Sequence, residues 1–200
     1  MSKMSLFEAM VNRRSIYGIG KRKSIPAERV TEIVRHAIKH VPSPFNSQSA
    51  RVIVLFEKES DKFWTMVKNA LEKIVPAGQF DKTAEKIDSF NSGWGTILFF
   101  EDSAVISKLM SDYSLYADNF PVWSNQSNGM LQYAIWTGLE SEGLGASLQH
   151  YAPLVEGDVQ REWKVDSNWK LLAQMPFGSV EVPAGEKTFL PLEERLRIFS

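Results

Sequence analysis

The sequence predicts a mixed α+β fold, and three observations carry that reading. Stretches with apolar residues at helical spacing are interleaved with about four short apolar runs of strand length, the two kinds do not alternate strictly, and the chain closes in an extended, proline-bearing tail. The 200 residues include 12 Phe and 6 Trp, and 44% are hydrophobic, enough for a substantial core in one domain spanning 1–200.

Taken in order, Leu6 to Val11 suit a short first helix that ends at Asn12-Arg13-Arg14-Ser15 and is broken by Gly18 and Gly20. Pro26 fits a first helical turn, and Val30, Ile33, Val34, Ala37, Ile38 and Val41 follow on one helical face. That helix stops before Pro42-Ser43-Pro44, because each proline disfavours helical backbone at the residue preceding it. Arg51 to Phe56 reads as a β-branched strand. Phe63, Val67, Ala70, Leu71 and Ile74 mark another helix, and Phe80 to Phe90 a more polar helix or an irregular cover. Thr96 to Phe100 has the length and apolarity of a buried strand. Met130 to Leu139 is apolar on nearly every side, which predicts a central, fully packed helix. Gly143 and Gly145 end it, Ala146 to Leu148 and Lys170 to Met175 are further strand candidates, and Pro176 to Gly185 is turn-rich. Thr188 to Phe199 alternates polar and apolar residues, compatible with an edge strand or an arm laid on a partner.

Composition excludes several classes. Lys and Arg number 23 against 24 Asp and Glu, so no global field attracts nucleic acid or an anionic membrane, and any anion site must be local. The absence of cysteine removes disulfides, thiolate nucleophiles and cysteine-bound metals, so redox chemistry would need a bound cofactor. No secretory signal or run of ~18 apolar residues is present, and a cytoplasmic protein is expected. His36 and His40 have metal-binding spacing, but no Glu follows His36 and no third ligand is evident, so a solvated helix face is expected and no metal. Gly18-Ile19-Gly20-Lys21 fails as a phosphate loop, with Ser15 at the first glycine position and Arg22 in place of Ser or Thr. Gly143-Leu144-Gly145 fails as a dinucleotide fingerprint, with Leu148 at the third glycine.

Two constellations can carry chemistry. Arg13-Arg14-Ser15 and the pair Arg195 and Arg197 lie at opposite chain ends; guanidinium groups bind phosphate bidentately, a hydroxyl adds a donor, and alternate strand positions share a face. Solvated arginines in rim ion pairs are the bland alternative. The loop Pro42-Ser43-Pro44-Phe45-Asn46-Ser47-Gln48-Ser49 offers amide donors and acceptors that suit the pyrimidine edge of a flavin, or else serve as turns and caps. Trp123, Tyr133 and Trp136 can stack on an aromatic acceptor or belong to a core or dimer interface, and Trp123 is the substrate candidate.

The order NRRSIY, PSPFNSQSARVIVLF and GLGASLQHYAP resembles the nitroreductase family, and GLGASLQHY, QMPFG, PAGEKTF and PLEERLRIF are most similar to its fatty-acid-repression-mutant-like branch. The resemblance covers almost the whole chain. It implies a central, mainly antiparallel sheet flanked by helices, a C-terminal arm extending onto the partner subunit, and a homodimer holding FMN at its interface. It further implies that Arg13, Arg14 and Ser15 hold the FMN phosphate with Arg197 and Arg195, near Tyr17. Ser43, Pro44, Asn46 and Gln48 would come from the neighbouring subunit, and Leu148, Gln149 and His150 would line the ring, with the His150 backbone N–H near flavin N5. A donor there stabilises the charge of reduced flavin. Activity would be NADH- or NADPH-dependent reduction of a nitroaromatic, quinone or similar small-molecule acceptor by alternating half-reactions; the alternative is a flavin-binding redox sensor or regulator. Three positions depart from the pattern: Pro44 replaces a frequent second serine, Tyr17 replaces a frequent basic residue, and no Pro-x-Glu-Gly follows Gly145.

Overall fold

The structure, a computed structural model, describes residues 4–199; residues 1–3 and 200 of the expected 1–200 unit lie outside the described residues. Seven helices and five strands are described, in the order α1 (Leu6–Asn12), β1 (Gly18–Gly20), α2 (Ala27–His40), β2 (Ala50–Phe56), α3 (Lys58–Glu72), α4 (Ala77–Asn91), β3 (Gly95–Asp102), α5 (Ser103–Asp112), α6 (Phe120–Ser141), β4 (Leu144–Ala146), α7 (Ala152–Trp163) and β5 (Trp169–Val182). The strands form one sheet, ordered β1-β5-β3-β2 with β4 also paired to β5, and each pairing is antiparallel. The predicted α+β class holds.

Period-two alternation divides the core between the two faces of β3. Ile97 and Phe99 pack with Val30 and Val34 of α2 and with Leu131, Ile135 and Leu139 of α6. Leu98 and Phe100 face the other way, onto Phe63, Trp64 and Val67 of α3, Ile87 and Phe90 of α4, and Val155 and Val159 of α7. A register shift between Phe99 and Phe100 pairs them with Ala173 and Leu171 of β5, so the bulge turns Leu171 to the α3 side while Ala173 stays on the α6 side. Buried Thr96 is a polar node: its Oγ1 accepts from Trp64 Nε1 at 2.8 Å and lies 2.7 Å from Ser60 Oγ.

Several sequence expectations are corrected. Pro176 to Val182 continue β5 instead of turning. Pro176 is tolerated because its carbonyl, and with it its missing N–H, faces the irregular segment after β4, where it accepts from Ser147 N at 3.3 Å. Gly18 and Gly20 do not merely break a helix; they form β1, whose residue Gly20 passes Gly178 so closely that a Cβ on Gly178 would lie 2.2 Å from the Gly20 carbonyl oxygen. The fourth strand lies at Leu144–Ala146 instead of Ala146 to Leu148. Helix α6 begins ten residues before Met130 and is not packed on every side, since Met130 and Tyr133 are exposed. Ile38 and Ile74 are likewise exposed, because hydropathy marks a face as apolar without saying what covers it. The tail forms no strand; it carries one short 3₁₀ turn at Leu192–Glu194. Among the described residues no helix is long and apolar enough to cross a membrane.

Candidate functional site

The arginine motif is held from both sides. Ser5 and Glu8 form a reciprocal cap at the start of α1, and Arg13 ends that helix through its backbone N–H on the Ala9 carbonyl at 2.9 Å. Two residues on, Ser15 bridges Ala146, and Ile16 N–H donates to the Ala146 carbonyl at 2.9 Å. Gly145 makes this approach possible: a Cβ there would lie 2.8 Å from Ile16 Cγ2. The motif is therefore stitched to β4.

Arg14, Ser15 and Tyr17 open onto a cleft of about 590 Å³, which Arg13, Gly18, Val182 to Gly185 and Lys187 complete. That volume lies within the usual range for small-ligand sites. Three cations and, among the described residues, no carboxylate line it, so its lining is cationic. The two arginines differ. The Arg13 guanidinium stacks over Trp136 of α6, 4.4 Å from the ring centroid, and 5.9 Å from that of Tyr133. Its Nε is buried, with no partner among the described residues. Burial pushes the nearby Glu140 carboxyl up from its usual range, and Arg13 opposes that shift. Arg14 is half-buried in the cleft.

The segment after β4 supplies neutral donors to the same region. Gln149 exchanges both backbone hydrogen bonds with Gln174 of β5, at 2.7 and 2.9 Å, and Ser147 N–H also turns toward β5. In an antiparallel pair alternate residues point the other way. The backbone groups of Leu148 and His150 therefore lie along the edge whose Ala146 carbonyl already binds Ile16. Tyr151 N–H is taken by Gln174 Oε1 at 2.7 Å, and among the described residues no acceptor is paired with the His150 N–H. The His150 side chain is exposed; Gln149 is buried and Leu148 half-buried against the α6 core.

The 42–49 loop lies elsewhere. Ser43, Asn46, Gln48 and Ser49 line a separate cavity of about 380 Å³ with Arg51, Ser127 and Leu131, and it shares no lining residue with the arginine cleft. Pro44 is half-buried at the head of a 3₁₀ turn. Phe45, Asn46 and Gln48 have φ of 55°, 52° and 49°, left-handed backbone that is strained for side-chain-bearing residues. Phe45 packs 4.7 Å from the Tyr113 ring and 5.4 Å from Phe120, and Phe120 packs 5.4 Å from Trp123. The acceptor candidate Trp123 thus belongs to the aromatic cluster of this loop.

The predicted site residues therefore form two groups in one protomer: Arg13, Arg14, Ser15 and Tyr17 with Leu148 to His150, and Ser43 to Gln48 with Trp123. Arg195 and Arg197 join neither; both are exposed, and the third cation lining the cleft is Lys187, just before the tail. Sequence reasoning missed Lys187, Gly145 and Gln174 as site residues. Gln174 was detectable, being a lone amide in the apolar run Leu171 to Met175. His36 and His40 are exposed with ring centroids 4.5 Å apart, and no group of three metal-ligating side chains occurs among the described residues.

This pairing of an arginine cleft with a free strand edge on a helix-flanked antiparallel sheet defines a class. The chain belongs to the nitroreductase family, whose model matches residues 10–179. Within it the chain is similar to nitroreductase CinD from Lactococcus lactis, solved in complex with chloramphenicol, at 42% identity and a TM-score of 0.90, covering 98% of this chain and 100% of that one. It is also similar to two Saccharomyces cerevisiae proteins: the putative nitroreductase HBN1, 33% identical over 92% of each chain, and the nitroreductase FRM2, 30% identical over 91% of each. The resemblance to the fatty-acid-repression-mutant branch is thereby confirmed.

Proposed function

We propose that this chain, over residues 1–200, is a cytoplasmic FMN-dependent oxidoreductase that takes electrons from NADH or NADPH and passes them to a nitroaromatic, quinone or similar acceptor. The observation that carries the reading is the cleft lined by Arg13, Arg14 and Lys187 without a carboxylate, whose Ser15 bridges Ala146 on the strand edge that runs on to the backbone of Leu148 and His150. A dianionic phosphate fits the first part and a ring with carbonyl and nitrogen acceptors fits the second. When bound, FMN supplies hydride acceptance from nicotinamide and electron delivery to the acceptor.

The residues divide the work. Arg14 and Ser15 hold the phosphate, Arg13 fixes their backbone by stacking on α6, and Arg195 and Arg197 of the tail close over the anion. The His150 N–H donates toward the ring position where negative charge accumulates on reduction. The loop bearing Ser43, Pro44, Asn46 and Gln48, with Trp123 behind it, completes the site of a second protomer, which explains why it faces away from the arginine cleft. Homodimer formation is supported by exposed Leu6, Phe7 and Val11 on α1, which packs on α6, by Met130 and Tyr133 on α6 itself, and by Phe189, Leu190, Ile198 and Phe199 of the tail.

The test is an absorbance spectrum of the purified protein, mass identification of the released chromophore, and nicotinamide oxidation with and without 4-nitrophenol or a quinone. Yellow protein carrying FMN, with acceptor-dependent turnover, is expected. Colourless protein that FMN cannot reconstitute overturns the reading.

A further inference from the structure

Beneath the 42–49 loop lies a carboxyl group that the proposed chemistry does not use. Glu101, at the end of β3, is only 5% exposed. Its Oε1 accepts from Asn128 Nδ2 of α6 at 2.8 Å, and Asn128 Oδ1 in turn accepts from Gln132 Nε2 at 2.7 Å. Its Oε2 is left to the fully buried Ser49 Oγ at the end of the loop, one of the residues lining the adjoining cavity, and among the described residues neither atom has another hydrogen-bond partner. One amide and one hydroxyl are thin compensation for a buried charge.

The surroundings say what that charge does. Arg51 of β2 and Asp102 of β3 are the charged groups acting on Glu101; α6 presents neutral Asn128, and the loop presents Ser49. Arg51 holds the loop, donating to the Gln48 carbonyl at 2.7 Å and pairing with Asp102 at 2.9 Å. The loop is also tied by Asp102 N–H on the Ser49 carbonyl at 3.0 Å. A charge on Glu101 competes with Gln48 for Arg51 and calls for water where Ser49 now covers it. Three left-handed residues make this loop the element that yields, since release relieves their strain.

We propose that Glu101 is a positioning residue for the flavin-facing loop: neutral, it holds residues 42–49 against β3 and α6, and ionised, it releases them, so that loop order and flavin retention fall together as pH rises. The flavin part rests on the function proposed above; the loop part does not. Burial pushes the Glu101 carboxyl above its usual value of 4.5, against smaller opposing effects from Ser49, Asn128 and Arg51. The closed loop then binds a proton that the open one lacks, so closure is fully stable below 4.5, weakens as pH rises past it, and levels off once Glu101 ionises in the closed state.

The experiment is amide hydrogen exchange of residues 45–51 in the full-length protein, with and without FMN, from about pH 5 to about pH 8, corrected for intrinsic exchange. Wild-type protein loses up to about tenfold in protection per pH unit within the window, whereas Glu101→Gln, neutral at every pH, stays flat. FMN release follows the same two profiles. A wild-type loop with pH-independent protection, or a Glu101→Gln loop that loosens like wild type, overturns the proposal. Should Glu101→Gln fail to fold, the infrared band of a buried protonated acid in wild-type protein decides: its decay in step with loop protection supports the proposal, and its absence at low pH overturns it. Protein that never binds FMN removes the proposed function but leaves the exchange result able to decide the role of Glu101.

Discussion

Replacing Arg14 with alanine weakens FMN binding by roughly ten- to sixtyfold and leaves riboflavin binding unchanged. A hydrogen bond to a charged group contributes about 1.5–3 kcal/mol, and a guanidinium fork on phosphate makes up to two. Arg14 is half-buried and its cleft opens to solvent, which screens the interaction and holds the total near about 1.5–2.5 kcal/mol. At about 1.4 kcal/mol per decade this gives the stated range. Arg14→Lys falls between wild type and alanine, because a point charge retains attraction but not the planar fork. Apo-protein is titrated with each ligand by flavin fluorescence at two salt concentrations. Riboflavin lacks the phosphate and so isolates the contact: a variant that weakens both ligands equally has damaged the fold, and one that weakens neither removes Arg14 from the site. Higher salt narrows the gap between wild type and Arg14→Ala.

Three other outcomes are expected. Thr96→Val strands the indole N–H of Trp64 and the hydroxyl of Ser60 in the core; it lowers stability by about 2–5 kcal/mol in urea unfolding with an unchanged m-value, and Thr96→Ser restores most of the loss. Gly145→Ala drives a Cβ to 2.8 Å from Ile16 Cγ2 and 3.0 Å from Val180 Cγ2; overpacking of about 1–3 kcal/mol follows, with a lower melting temperature and weaker FMN binding, while Gly78→Ala, in open space on α4, is neutral or stabilising. Deleting residues 188–200 removes exposed Phe189, Leu190, Ile198 and Phe199, and sedimentation is expected to show a concentration-dependent shift toward monomer with loss of bound flavin.

What the sequence made legible was whatever a local pattern determines. The α2 stripe at Val30, Val34 and Ala37 and the apolar run Thr96 to Phe100 appear as a buried helix face and a central strand, because in each case a single periodicity matches one burial environment. Strand β5 was half-read, since Pro176 and Gly178 look like punctuation to any local rule and only the partner strands show which backbone groups need pairing. Helices α5 and α7 lack a strong stripe; their starts are marked instead by the Asp102 cap and by a proline in the first turn. Exposed Met130 and Tyr133 show the opposite failure, in which a pattern states apolarity without naming the cover.

The site was legible in its donors and not in its geometry, for a physical reason. Arg13, Arg14 and Ser15 announce an anion, but their position depends on Ile16 reaching Ala146 past a residue with no side chain, a contact spanning most of the chain. No local signal separates Arg13, spent on stacking against Trp136, from Arg14, left for the cleft. The 42–49 loop poses the sharper problem: its polar residues belong to a cavity apart from Arg13 and Arg14, and its strained backbone is tied down by Arg51 on the Gln48 carbonyl and by the Asp102 N–H on the Ser49 carbonyl. If that loop serves a second protomer, flavin affinity depends on association as well as on local contacts. Dilution then releases FMN with the same concentration dependence as dimer dissociation, and a flavin that stays bound to the sedimenting monomer breaks the link between the two halves of the site.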